Sequence, residues 1–222
     1  MDDYAEYSAV RAEIYKLLAA PFYTEAAPDY LARLKKYIPV FITMAEEFAS
    51  AEIREGVSLL EVFFDKNTNP DKTAREYRRF FARLFLGISQ HDAVKNICPQ
   101  ESYYLSPKHL IMQEQRDQVL EIYCGEGIGK TDNFKEPEDH LSAEFHFMAH
   151  LCKRSASGKD TLGVQQKFLV DHILKWVPIC CKDLYLQSGK LPDESGLYYQ
   201  GIAKLTEGFI ICETLFVGDL AA

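Results

Sequence analysis

Apolar residues recur along this chain at three- and four-residue spacing over long segments, and no convincing pair of alternating, strand-like segments is found. Tyr7, Val10, Ile14, Leu17 and Leu18 mark one stripe of a helix over 3–19, which Pro21 ends. A short second helix opens at Ala26-Ala27-Pro28 and carries Leu31 and Leu34. After Pro39 a long pattern runs through Phe41, Met44, Phe48, Ile53, Leu59, Leu60, Phe63 and Phe64, with Gly56 as the expected break. Asn67-Thr68-Asn69-Pro70 reads as a turn, with Asn69 capping the next helix and Pro70 at its first position. That helix, about 70–86, carries Tyr77, Phe80, Phe81, Leu84 and Phe85. Such a density of aromatics serves both to build core and to line a groove.

Residues 87–106 hold Gly, Pro and Ser with little periodicity and read as a long loop, a kind of segment that often carries function. Ser106-Pro107 opens a helix that runs to about Cys124. A further helix is expected over 137–154, with Leu141, Phe145, Met148 and Cys152 on its apolar side. Pro137 suits its first position, and Glu136, Glu138 and Asp139 crowd its first turn. There the partial positive charge of the helix end favours carboxylates by roughly 0.3–1 kcal/mol each. Three acids exceed what one helix start requires, so a cation or a basic peptide is a second candidate for their partner. Residues 162–187 place Leu169, Ile173, Trp176, Val177, Cys180 and Leu184 inward, with a kink expected at Pro178. Gly189 to Gly196 form a turn, and a last helix runs through Tyr198, Ile202, Leu205, Phe209, Cys212 and Phe216. The expected fold is all-α, a single globular helical domain of about eight to ten helices. Two lobes, about 1–124 and 137–222, are expected to meet at a hinge near 125–136.

Composition narrows the function. The chain has 222 residues, 47% of them hydrophobic, which is ample for a core. A formal charge of −8 argues against non-specific binding to nucleic acid or anionic lipid and suits a basic ligand. The acidic opening Met1-Asp2-Asp3 is unlike a signal peptide, and no run approaches the roughly 18 apolar residues needed to span a membrane. The six cysteines lack a C-x-x-C pair and read as reduced, mostly buried thiols of a cytosolic protein.

Candidate chemistry is thin. Gly125-Glu126-Gly127-Ile128-Gly129-Lys130-Thr131 is similar to a phosphate-binding loop, but Cys124 stands where its first glycine belongs. The next helix is expected near Pro137, too late for its N–H groups to face a phosphate. His140 with Glu144, and His146 with His150, share helix faces at i, i+4, yet the two pairs are offset by roughly a quarter turn or more at about 100° per residue. They do not converge on a metal, and His146 and His150 read as solvated. No serine or cysteine occupies a recognisable nucleophile context. No catalytic residue and no metal ligand is assigned.

One resemblance changes the picture. Pro137-Glu138-Asp139-His140-Leu141, followed by Glu144, Met148 and Leu151, resembles the signature of the TorD/DmsD family of redox enzyme maturation chaperones. Arg83-Leu84-Phe85-Leu86-Gly87, then Pro99 with Glu101-Ser102-Tyr103-Tyr104-Leu105-Ser106, and later Phe168, His172, Trp176 and Pro178, agree in order and spacing. The resemblance spans most of residues 75–185.

What it implies is a cytoplasmic chaperone for a molybdenum-containing redox enzyme, binding the client's twin-arginine signal peptide together with a folded part of its catalytic subunit. Pro137, Asp139 and His140 match family positions implicated in leader binding, as do Phe81 and Leu84, although relatives can carry Trp where Phe81 stands. Glu136, Glu138, Glu144, His172 and Trp176 are expected to support them. No cofactor of its own is implied beyond weak binding of guanine nucleotide, which has been linked to some relatives; the client carries molybdopterin. Neither nucleic acid nor stable membrane insertion is expected, and both a monomer and a domain-swapped dimer fit. Two other readings stand beside this one: a nucleotide-dependent enzyme using 125–131, and a helical scaffold or regulator.

Overall fold

The computed structural model describes residues 2–88, 94–192 and 195–220. It is all-α: no strand occurs among the described residues, and one isolated antiparallel bridge pairs Gln100 with His140. The helices are α1 (Asp2–Ala19), α2 (Pro28–Glu47), α3 (Ala51–Lys66), α4 (Pro70–Phe85), α5 (Glu101–Leu105), α6 (Glu114–Gly125), α7 (Leu141–Ala156), α8 (Leu162–Phe168), α9 (Leu174–Ser188) and α10 (Leu197–Leu220). A π-turn, Leu169–Ile173, joins α8 to α9.

The chain divides into two compact units, neither continuous in sequence. One comprises Met1–Phe22, Pro99–Ile179 and Thr214–Ala222, the other Tyr23–Cys98 and Cys180–Glu213. This differs from the expected lobes: residues 125–136 lie within the first unit rather than between two. Long-range packing decides the division. In the first unit α1 lies along α7, with Tyr15 and Phe145 edge to face at 5.3 Å. Val10, expected inside, is exposed, and Arg11 is buried instead. The Arg11 guanidinium donates to Gln165 Oε1 at 2.8 Å and sits 4.5 Å from the centre of the Phe216 ring.

In the second unit α2 packs on α3 and α4, and Phe63, Tyr77 and Tyr198 cluster with ring centres 5.2–5.7 Å apart. Helix α2 continues through Pro39, which faces solvent, where water can meet the carbonyl left without an intrahelical donor. The break comes at Ala49, in the left-handed region at φ 50°, and Ser50 then caps α3 by accepting Ile53 N–H. Gly56 therefore does not end a helix. It lets α3 and α10 approach: a Cβ there would lie 2.9 Å from Leu205 N and 3.0 Å from Gly201 O. Asn69 caps α4 as expected, accepting Lys72 N–H at 3.0 Å.

Three further segments depart from the sequence pattern. The expected loop 87–106 contains α5, while residues 89–93 lie outside the described ones, as do 193 and 194 of the later turn. The helix expected from Pro107 begins only at Glu114, because His109 and Met112 take left-handed backbone at φ 51° and 59°. The irregularity expected at Pro178 falls earlier, at the π-turn, where Leu174 N–H reaches back to Leu169 O. A wider turn ahead of the proline absorbs the lost regularity before α9 begins.

Candidate functional site

The signature segment precedes its helix rather than opening it. Residues 137–140 form a turn, His140 is the N-cap of α7, and its Nδ1 accepts Ser142 N–H at 3.1 Å. Two backbone bonds fasten the turn to the segment before α5: Glu101 N–H to Asp139 O at 2.9 Å and Leu141 N–H to Pro99 O at 2.8 Å. The Asp139 carboxylate completes the join, its Oδ2 accepting Ser102 N–H at 2.8 Å at the start of α5. Two sequence-distant blocks of the family pattern thus form one structure.

This join leads into a buried polar network. Glu101 is 1% exposed, and its carboxylate lies 2.9 and 3.1 Å from His172 Nδ1, which donates to it. The π-turn places His172 there. Trp176 Nε1 donates to Glu144 Oε2 at 3.2 Å, and Tyr104 stacks on the Trp176 ring at 5.6 Å. Burial, then the nearby Glu101 and Asp139 charges, push Glu144 well above the usual carboxylate range. His140 is driven the other way: burial lowers its pKa to about 3, leaving a neutral imidazole with its proton on Nε2.

Glu138 is the network's link to the surface. Its Oε2 meets Arg116 Nε at 2.5 Å and its Oε1 meets Lys130 Nζ at 3.2 Å. Burial works to raise its pKa, but those hydrogen bonds outweigh burial and hold it below the carboxylate range. Tyr123 O–H donates to Glu138 O at 3.2 Å, and Glu136 accepts from Gln100 Nε2 at 3.3 Å.

The sequence-selected residues are therefore partly assembled. Asp139, His140, Glu138, Glu144, His172 and Trp176 are all buried in the first unit, and Pro137 and Glu136 are half-buried beside them. Phe81 and Leu84 lie on α4 in the second unit, 6% and 0% exposed. None of the three carboxylates Asp139, Glu138 and Glu144 stands open to solvent. Sequence reasoning missed Glu101 as their partner, although its place in a family block was the available signal.

The glycine-rich loop is not followed by a helix start, and Lys130 is engaged, donating to Glu136 O at 2.7 Å as well as pairing with Glu138. Beside it a cavity of about 400 Å³ is lined by Ile128, Lys130, Phe134, Phe147, His146 and His150. His146 and His150 are solvent-exposed as expected, yet they share this cavity. Partial burial, with Lys16 near His146 and Arg154 near His150, lowers both pKa values. Among the described residues, no group of three or more His, Cys, Asp or Glu is arranged to hold a metal ion.

Over residues 46–182, well over half of the chain, the sequence matches the family described as nitrate reductase delta subunit. It is 30% identical over 179 residues, 77% of each chain, to the chaperone protein TorD of a Psychrobacter species. The chain belongs to the TorD/DmsD family of redox enzyme maturation chaperones. The TorD chaperone of Vibrio cholerae is 29% identical over 175 residues, 76% of each chain. That of Vibrio atlanticus is 24% identical over 227 residues, 98% of this chain and 99% of the relative. No solved structure gives a significant match. TorD/DmsD membership makes this a chaperone and not an enzyme. No helix among the described residues is long and apolar enough to cross a membrane.

Proposed function

We propose that this chaperone binds the twin-arginine signal peptide of a molybdopterin-containing oxidoreductase in the cytoplasm and holds the client from export until its cofactor is inserted. The observation that carries the reading is the family match, whose signature residues form one connected buried network here. A network of imidazole, carboxyl and indole N–H groups, closed off from solvent, fixes a surface rather than performing a reaction on one. Asp139 and His140 are accordingly given a positioning role, holding the 137–140 turn against α5, and Phe81 and Leu84 set the place of α4. A folded part of the client's catalytic subunit is the second partner, and the chaperone needs no cofactor of its own.

The energetics divide the task of binding. Two exposed arginine–carboxylate pairs give about 0.4–2 kcal/mol together, whereas micromolar binding needs about 8 kcal/mol. Burying the leader's apolar run, at roughly 1.5–3 kcal/mol per leucine-sized side chain, supplies most of the difference and offsets ordering costs. The charges then select the register.

The test is maturation of a client. A twin-arginine molybdoenzyme from the same genome, expressed with and without this chaperone, is assayed for molybdenum content and exported activity. The reading expects both to fall without the chaperone and to recover on its return. Full cofactor loading in its absence, for every such enzyme of the genome, would overturn it.

A further inference from the structure

We infer that Leu110-Ile111-Met112, with the acidic outer face of α6, is the landing surface for a peptide carrying basic residues beside an apolar run. The inference rests on the leader-binding reading above and names the place where the leader is received. These side chains are 49%, 45% and 54% exposed, the only run of three consecutive large apolar residues so exposed among the described residues.

The segment is built to hold them outward. Ser106 Oγ accepts Leu110 N–H at 2.8 Å and donates to Leu110 O at 3.2 Å, and Gln113 Nε2 donates to Ile111 O at 2.8 Å. His109 Nδ1 lies 3.0 Å from Tyr103 O, with its ring against the Tyr103 ring. His109 and Met112 both adopt the left-handed backbone that non-glycine residues rarely take. Steric strain retained to keep apolar side chains in water is the kind of outlier that points to a use.

The charges beside the segment say what that use is. Glu114, Asp117 and Glu121 follow at three- and four-residue spacing, form one stripe of α6, and are all exposed. Asp117 pairs with Arg116 Nη1 at 3.0 Å, while Glu114 accepts from the neutral Gln118 amide at 3.0 Å. Arginines arriving here displace no buried bond. At the signature turn they would have to compete with Arg116 and Lys130 for Glu138, since Asp139 and Glu144 are inaccessible. Leu86 and Ile88, also exposed and close together, follow the arginine-rich face of α4, which would repel a basic peptide.

The test uses the full chain, a fluorescent twin-arginine leader peptide and anisotropy titration at two salt concentrations. Ile111→Ser with Met112→Ser should weaken binding by roughly tenfold to a hundredfold, from the lost apolar burial. Glu114→Lys with Glu121→Lys should weaken it at low salt, with the loss shrinking at high salt. Both variants should keep the parental helical spectrum and urea midpoint. If the parent binds the leader and both folded variants bind it equally well, the landing surface lies elsewhere and the leader-binding reading stands. If the parent itself does not bind, that reading fails and this inference with it. Unchanged leader affinity with loss of a self-associated species in Ile111→Ser, Met112→Ser would give the surface to a second copy of the chain and overturn the inference.

Discussion

Asp139 Oδ2 accepts the backbone N–H of Ser102 at 2.8 Å, so the signature aspartate caps α5 and not the helix that follows it in sequence. Removing that acceptor strands a buried N–H. Asp139→Ala should cost about 1–3 kcal/mol of stability, whereas Asp139→Asn keeps an acceptor and should cost less. Urea unfolding of the two variants measures the difference.

His140 and Glu144 should give opposite slopes of stability against pH. The folded pKa of His140, about 3, lies below its ordinary value of 6.5. Its contribution is fully present above 6.5 and is lost as pH falls towards 3, at up to about 1.4 kcal/mol per pH unit. His140→Asn retains an N-cap acceptor and should flatten the curve in that window. Unfolding of both proteins between pH 4 and 7 is the check.

Glu144 has the reverse sign, because its folded pKa is raised above 4.5. The stability it contributes is present below the unfolded value and declines as pH rises towards the folded one. Glu144→Gln keeps an oxygen for Trp176 Nε1 without carrying a proton to lose. Its stability relative to the parent should therefore increase from acidic to neutral pH in the same unfolding series.

Helix content, the caps at Asn69 and Pro70, and the family blocks were legible because each depends on a few neighbouring residues. Pairings such as Asp139 with Ser102, or His172 with Glu101, were not: each joins segments far apart in sequence. The three acids at 136–139 looked like a helix start because local pattern cannot show that a turn is tied to a segment far away in sequence. Pro39 and Gly56 misled for a related reason. Whether a proline breaks a helix depends on which side meets solvent, and a helical glycine can mark a close approach instead of an end.

Gly201 tests that last point. A Cβ at Gly201 would lie 2.6 Å from Leu60 Cγ and 2.9 Å from its Cδ2. Gly201→Ala should therefore destabilise the protein by about 1–3 kcal/mol through overpacking, despite the better helix propensity of alanine. A thermal melt showing stabilisation would mean that α3 and α10 separate freely.

Lys130→Ala separates a structural lysine from a phosphate-binding one. Its pair with Glu138 is partly exposed at 3.2 Å, so the loss should be within about 1 kcal/mol. Leader affinity should be unchanged. Abolished leader binding, with the fold intact by circular dichroism, would return the 125–131 loop to the functional site.

The most direct measurement is titration calorimetry of the full chain against a twin-arginine leader and a twin-lysine control of otherwise identical sequence. The leader-binding reading expects saturable binding of the first, weaker binding of the second, and a gap that narrows as salt rises, since both share the apolar run. No binding of either peptide, or equal affinity for both at low salt, would contradict it.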